Sequence, residues 1–141
     1  MKRTLLASLM AATCLTGAAS AAEDKIKIGL IYTLSGPAAA LGEQGRDGFL
    51  LAADQIGKIG GLETEIIVID DERKPDLAAS KARELVERDE VDFVVGPIFS
   101  NILIAIHKPV TESGAILISS NAGTSNFAGK DCHPNFFVTS Y

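Results

Sequence analysis

Apolar and polar positions along this chain follow two rhythms that take turns, one of period two and one near 3.6. Lys25-Ile26-Lys27-Ile28 alternates and then runs apolar through Gly29-Leu30-Ile31-Tyr32, the pattern of a strand entering a buried parallel sheet. After the turn Ser35-Gly36-Pro37, Leu41, Gly45, Gly48, Ala52 and Ile56 fall at helical spacing from about Ala39, and Gly57, Gly60 and Gly61 mark the end. Two glycines on that stripe, Gly45 and Gly48, imply a helix lying close to its neighbours. Glu65–Ile69 predicts a second strand, closed by Asp70-Asp71. Pro75 to about Arg88 predicts a helix with Ala78, Ala82, Leu85 and Val86 on one face. Asp92–Val95 is a third strand ending at Gly96-Pro97. A helix from about Asn101 to Glu112 carries Pro109, which is expected to kink or interrupt it. Ala115–Ser119 is a fourth strand and Phe136–Val138 a fifth.

Strands alternating with helices predict an α/β fold with a doubly wound parallel sheet, Rossmann-like in topology, with right-handed crossovers. Ligands of such sheets gather at the carboxyl ends of the strands. The loops due at that edge are Ser35-Gly36-Pro37, Asp70 to Lys74, Gly96 to Asn101 and Ser119 to Ser125.

The first residues read differently. Lys2 and Arg3 precede an apolar core from Leu5 to Leu15, and Gly17 to Ala22 supplies small residues of the A-x-A type. That is a secretory signal peptide, residues 1–22, cut after Ala21 or Ala22; its apolar core is short of the ~20 residues a membrane anchor needs. Cys14 follows Thr13, where a lipoprotein signal has a small Gly or Ala, and is read as an ordinary signal residue. The expected mature chain, from residue 23, is then exported to the periplasm and does not itself span a membrane. Removing two positive charges from a net −5 leaves −7. An acidic chain without a basic stripe excludes nucleic acid as the partner. Cys132 alone remains in the mature part. It is read as a buried or free thiol, or as one whose partner lies beyond Tyr141.

Reactive chemistry finds little support. Gly36, Gly42, Gly45 and Gly48 with the acidic pair Asp70-Asp71 have the layout of a dinucleotide site, but no G-x-G-x-x-G stands at the first turn. Asp70 and Asp71 are read as strand-end carboxylates pairing with Arg73, Lys74 or water. No G-x-S-x-G elbow is present, and His107 and His133 are read as surface histidines, with too few companions for a metal site. No catalytic residue, metal or cofactor is expected. Hydrogen bonding without reactive groups remains. Ser100 stands at a predicted helix start, where it caps the helix or joins backbone amides in holding an anion. Ala122-Gly123-Thr124 ends the adjacent strand in a small turn able to aim N–H groups into one concavity. Two such loops suit a carboxylate.

The order of these motifs resembles the branched-chain amino-acid (leucine/isoleucine/valine) binding family of ABC-importer solute-binding proteins, with the type I periplasmic fold. The residues that carry it are Ile28-Gly29, Leu34-Ser35-Gly36-Pro37 with Gly42, Asp70-Asp71, Val95-Gly96-Pro97 with Ser100, Ile118 to Thr124, and Phe137-Val138-Thr139. The resemblance implies a non-enzymatic protein of two α/β lobes that close on a ligand and deliver it to a permease in the inner membrane. Residues 23–141 would be the N-terminal ligand-binding lobe, incomplete, with Thr139-Ser140-Tyr141 at the first hinge crossing and the second lobe absent. It implies that Ser100 Oγ and nearby amides hold a ligand carboxylate, and that the Ala122 carbonyl and Thr124 hydroxyl, beside Gly123, meet an α-ammonium. Leu41 stands where amino-acid binders often have an aromatic ring, Phe99 where a smaller side chain is usual, and Asn121 in place of a proline. Leu41 and Phe99 change the apolar wall toward a larger or planar acid, and Ala128 through Phe136 looks more like members that take aromatic carboxylates, amides or urea-like solutes. Branched-chain specificity is the default. A periplasmic sensor on the same fold is the alternative, and an exported α/β enzyme a third class for which no nucleophile is found.

Overall fold

The computed structural model describes residues 25–139; the expected signal segment 1–22, including Cys14, lies outside them. Strand β1 spans Lys25–Tyr32, followed by a 3₁₀ turn at Gly36–Ala38 and helix α1, Ala39–Ile56. Then come β2 (Glu63–Asp70), α2 (Pro75–Glu87), β3 (Phe93–Val95), α3 (Ser100–Glu112), β4 (Ile116–Ser119), a second 3₁₀ turn at Ser125–Ala128, and β5 (Phe136–Val138). The five strands form one wholly parallel sheet in the order β2-β1-β3-β4-β5. The fold class expected from the alternating pattern is therefore the one adopted.

The register sorts the side chains onto two faces. One row across the sheet runs Ile67, Gly29, Val94, Leu117, Phe136, and the next runs Val68, Leu30, Val95, Ile118, Phe137. Successive residues of a strand point to opposite sides, so the first row meets α2 and α3 and the second meets α1. The α2/α3 face holds most of the fully buried apolar side chains, among them Ile31, Leu85, Ile102, Leu103, Ile106 and Leu117. At about 1.5–3 kcal/mol for each such side chain, this layer supplies the larger share of the stability. Gly29 has a specific part in it, because a Cβ there would lie 2.6 Å from Leu85 Cδ1. The α1 face is thinner, with Ile28, Leu30, Tyr32 and Val95 buried and Val68 and Phe137 exposed.

Three local expectations need correction. Pro109 does not interrupt α3, which runs on to Glu112. The proline removes only its own amide, close enough to the carboxyl end that one turn closes beyond it, helped by Thr111 Oγ1 donating to the His107 carbonyl at 2.8 Å. His107 is not a surface residue but is 7% exposed. On α1, Gly45 does admit the Tyr32 ring, but Gly48 faces open space; the closest approach is at Gly42, where a Cβ would fall 1.9 Å from the Thr33 carbonyl oxygen. Opposite signs are expected from two similar substitutions. Gly48→Ala raises the thermal midpoint, by about 1 kcal/mol of helix propensity, whereas Gly42→Ala lowers it by prying α1 off β1. Thermal denaturation checks both, and a lower midpoint for Gly48→Ala would contradict the open face.

Candidate functional site

Because all strands run the same way, the loops after β1, β2, β3 and β4 emerge at one edge, where side chains and backbone lace them together. Asp70 binds the first loop to the second: its Oδ1 accepts from the Leu34 and Glu72 amides, both at 2.8 Å. Partial burial pushes the Asp70 carboxyl upward, but these amides, Ser35 and Lys74 outweigh it and hold it below the usual 3.8. Asp71 is fully buried; its Oδ1 accepts from Thr33 Oγ1 at 2.6 Å and from the Arg73 amide at 2.7 Å. The expected pairing of these carboxylates with the Arg73 and Lys74 side chains is therefore not the main one. Lys74 Nζ pairs with Glu72 at 2.5 Å, and the Arg73 guanidinium lies 4.3 Å from the centre of the Phe99 ring.

The loops after β3 and β4 are joined three times. Ser100 Oγ donates to the Gly123 carbonyl at 2.8 Å, Asn121 Nδ2 to Ile98 at 2.9 Å, and the Ala122 amide to Pro97 at 3.3 Å. Ser100 does not cap α3. It is the first helical residue, and Phe99, which carries no side-chain cap, precedes the helix. The Phe99 carbonyl accepts from the Ile102 and Leu103 amides, which leaves those of Ser100 and Asn101 as the outward donors of the first turn. Asn121, the departure from a proline, supplies an inter-loop bond that proline lacks.

The run Ser119 to Ser125 accounts for its polarity largely by internal bonding. Ser119 Oγ donates to the Ala122 carbonyl, Ser120 Oγ pairs with the Tyr32 hydroxyl at 3.1 Å, and Thr124 Oγ1 accepts from the Asn126 amide at 3.4 Å, capping the turn that follows. The carbonyls of Ala122 and Gly123 and the Thr124 hydroxyl thus each hold one internal partner and keep one further lone pair or proton. Ser100, Gly123 and Phe99 are brought together at the edge, and Ala122, next in the chain to Gly123, is buried. Leu41 stands apart from them, 53% exposed in the first turn of α1. It lines a groove with Tyr32, Gln44, Ile98, Ser120 and Asn121, the last three being neighbours in sequence of the clamp residues. Tyr32 and Ser120 were not singled out by sequence; Tyr32 ending an apolar strand with a hydroxyl was the available signal. Cys132 is a free, exposed thiol, and the described residues hold no group of three or more His, Cys, Asp or Glu placed for a metal.

One parallel sheet thus gathers hydrogen-bonding groups from four loops at its carboxyl edge. Residues 25–141 match the family model described as periplasmic binding protein, and the chain belongs to that family. It is 37% identical over 123 residues to the Leu/Ile/Val-binding protein BraC3 of Rhizobium johnstonii, covering 85% of this chain and 32% of that protein. Among solved structures, the branched-chain amino-acid substrate-binding protein LivJ of Streptococcus pneumoniae, in complex with isoleucine, matches at a TM-score of 0.75 with 32% identity, covering 82% of this chain and 33% of that one. A solute-binding protein of R. palustris in complex with benzoate matches at 0.76, again with 32% identity, over 82% and 32% of the two chains. The chain thus spans about a third of the length of these relatives. Among the described residues, no helix is long and apolar enough to cross a membrane.

Proposed function

We propose that this chain is the N-terminal lobe of a periplasmic solute-binding component of an ABC importer, holding a small carboxylate-bearing solute for delivery to an inner-membrane permease. The observation that carries the reading is the first turn of α3, with the open amides of Ser100 and Asn101, locked by the Ser100–Gly123 bond beside the small turn Ala122-Gly123-Thr124. The positive end of the helix dipole and outward N–H groups suit a carboxylate. The protein is read as non-enzymatic because the relatives it matches are binding proteins. The apolar remainder of the solute would lie against Phe99 beside the clamp or, in a longer solute, reach the groove that Leu41 lines, as an apolar amino acid or an aromatic acid; the relatives bound to isoleucine and to benzoate support both.

One lobe touches one side of a ligand, so residues 22–141 alone are expected to bind at millimolar strength, about −4 kcal/mol or weaker. Amide-shift titration of the ¹⁵N-labelled chain with benzoate, leucine and phenylalanine is expected to move Ser100, Asn101, Gly123 and Thr124. Shifts confined to the opposite edge of the sheet would refute the site, and micromolar binding by calorimetry would refute the one-sided clamp.

A further inference from the structure

The loop after β2 places a cation against the clamp. We propose that Arg73 is a positioning residue of the carboxylate site: its guanidinium, stacked on Phe99, tethers the loop after β2 to the amino end of α3 and fixes the direction in which the first-turn amides point. As regards ligands, this rests on the carboxylate reading above; as regards the tether, it rests on the geometry alone.

The tether is built at both ends. Arg73 sits at φ +57°, a left-handed conformation uncommon for residues other than glycine. The buried Asp71 holds it there, its Oδ1 accepting the Arg73 amide at 2.7 Å while also taking the Thr33 hydroxyl. This anchorage aims the side chain across the sheet edge. Its guanidinium makes no ion pair among the described residues and instead lies 4.3 Å from the Phe99 ring centre, within the range of a cation–π contact. Phe99 in turn packs partly buried against the α2/α3 core and gives its carbonyl to the Ile102 and Leu103 amides. Ser100 is the next residue. Core packing on one side and the guanidinium on the other restrict the Phe99 side chain, and so the freedom of the residue that leads into Ser100. No side chain caps this helix, so the stack adds to the core packing of Phe99 and to the three inter-loop bonds in holding the residue before it. Around Arg73, Asp70 and Asp71 accept backbone and hydroxyl donors at Oδ1 and Glu72 is paired with Lys74, while Asp71 Oδ2 is buried without a partner.

The test is a double-mutant cycle on the 141-residue chain, with Arg73→Ala, Phe99→Leu and the pair, read by hydrogen exchange and by benzoate titration. Arg73→Ala is expected to speed exchange of the Ile102 and Leu103 amides about two- to fivefold, the size of an exposed cation–π contact. In the Phe99→Leu background it is expected to change nothing further. Exchange rates untouched by Arg73→Ala, or raised equally in both backgrounds, overturn the proposal. Benzoate affinity is expected to fall in the same non-additive way; an equal fall in both backgrounds would mean that the charge acts on the ligand directly and would overturn the positioning role. If no variant, nor the parent, responds to benzoate, the carboxylate reading fails while the exchange cycle still decides the tether.

Discussion

Gly96→Ala is expected to lower the urea midpoint of unfolding steeply. Gly96 sits at φ +118°, a conformation that side chains rarely adopt, and a Cβ there would fall 2.0 Å from the Ile31 carbonyl oxygen. Neither neighbour can give way. Ile31 is fully buried in the central strand, and the Gly96 amide is committed to the Ile118 carbonyl at 3.1 Å. Strain and clash together place the cost at about 4 kcal/mol or more, against a total of ~5–15 kcal/mol for an ordinary domain. The damage also reaches function, because Gly96 begins the loop whose Pro97 and Ile98 carbonyls receive the loop after β4. Urea denaturation followed by circular dichroism checks this, and a midpoint equal to the parent's would show that β1 and β3 can move apart freely.

The second large effect is expected from pH and centres on His107. Its ring stacks on Phe127 with centroids 4.0 Å apart and a 12° tilt, and meets Phe136 edge-on at 5.0 Å. Nε2 is buried with no hydrogen-bond partner among the described residues. Burial, then the nearby His133, hold the His107 pKa below its ordinary 6.5, while Asp131 pulls the other way. Lys108, Glu112 and Cys132 line the same surface pocket. The folded protein keeps the ring neutral where the unfolded chain would already take up a proton. Stability owed to the neutral ring is therefore complete above pH 6.5 and is lost as pH falls through that value toward the depressed one. The contribution of Asp70 has a lower window: its carboxyl is depressed when folded, so that stability goes only as pH falls below about 3.8.

Chemical denaturation between pH 7 and 5 is expected to show a falling midpoint in the parent and a flatter profile in His107→Phe, which keeps the stack and removes the nitrogen. His107→Ala is expected to cost about 2–4 kcal/mol at neutral pH through the lost ring contacts. Equal slopes in the parent and His107→Phe would assign the pH dependence to other groups. The consequence reaches the binding edge, because Phe127 lies in the turn that Thr124 caps, directly after the clamp, and the partner helix begins at Ser100.

How far the sequence reaches can be judged on these residues. The limits of β1 and β5 and the start of α1 follow from alternation and helical spacing, and the structure places them at the same residues. The buried face of α2, Ala78, Ala82 and Leu85, was equally legible. These are properties of one element, set by its own hydrogen-bond geometry and by a single requirement, that one stripe be apolar. His107 was misread for the opposite reason. It stands one turn after Leu103 on the same buried stripe, but a histidine there is tolerated only because Phe127, 20 residues later, lies flat upon it.

The candidate site divides along the same line. From sequence alone came the parallel α/β order, the edge at which the loops must meet, and the two small-residue loops holding Ser100 and Ala122 to Thr124. Alternating periods oblige strands and helices to alternate, and parallel strands oblige their loops to share an edge. Tertiary structure alone decided that Ser100 donates to Gly123 rather than capping its helix, that Arg73 turns to Phe99 rather than to the neighbouring carboxylates, and that Leu41 stands apart on the α1 side. Such choices depend on which strands lie side by side, here β2 beside β1 and β3 beside β4, and a hydroxyl or guanidinium has many partners of similar energy until that order fixes which one is within reach.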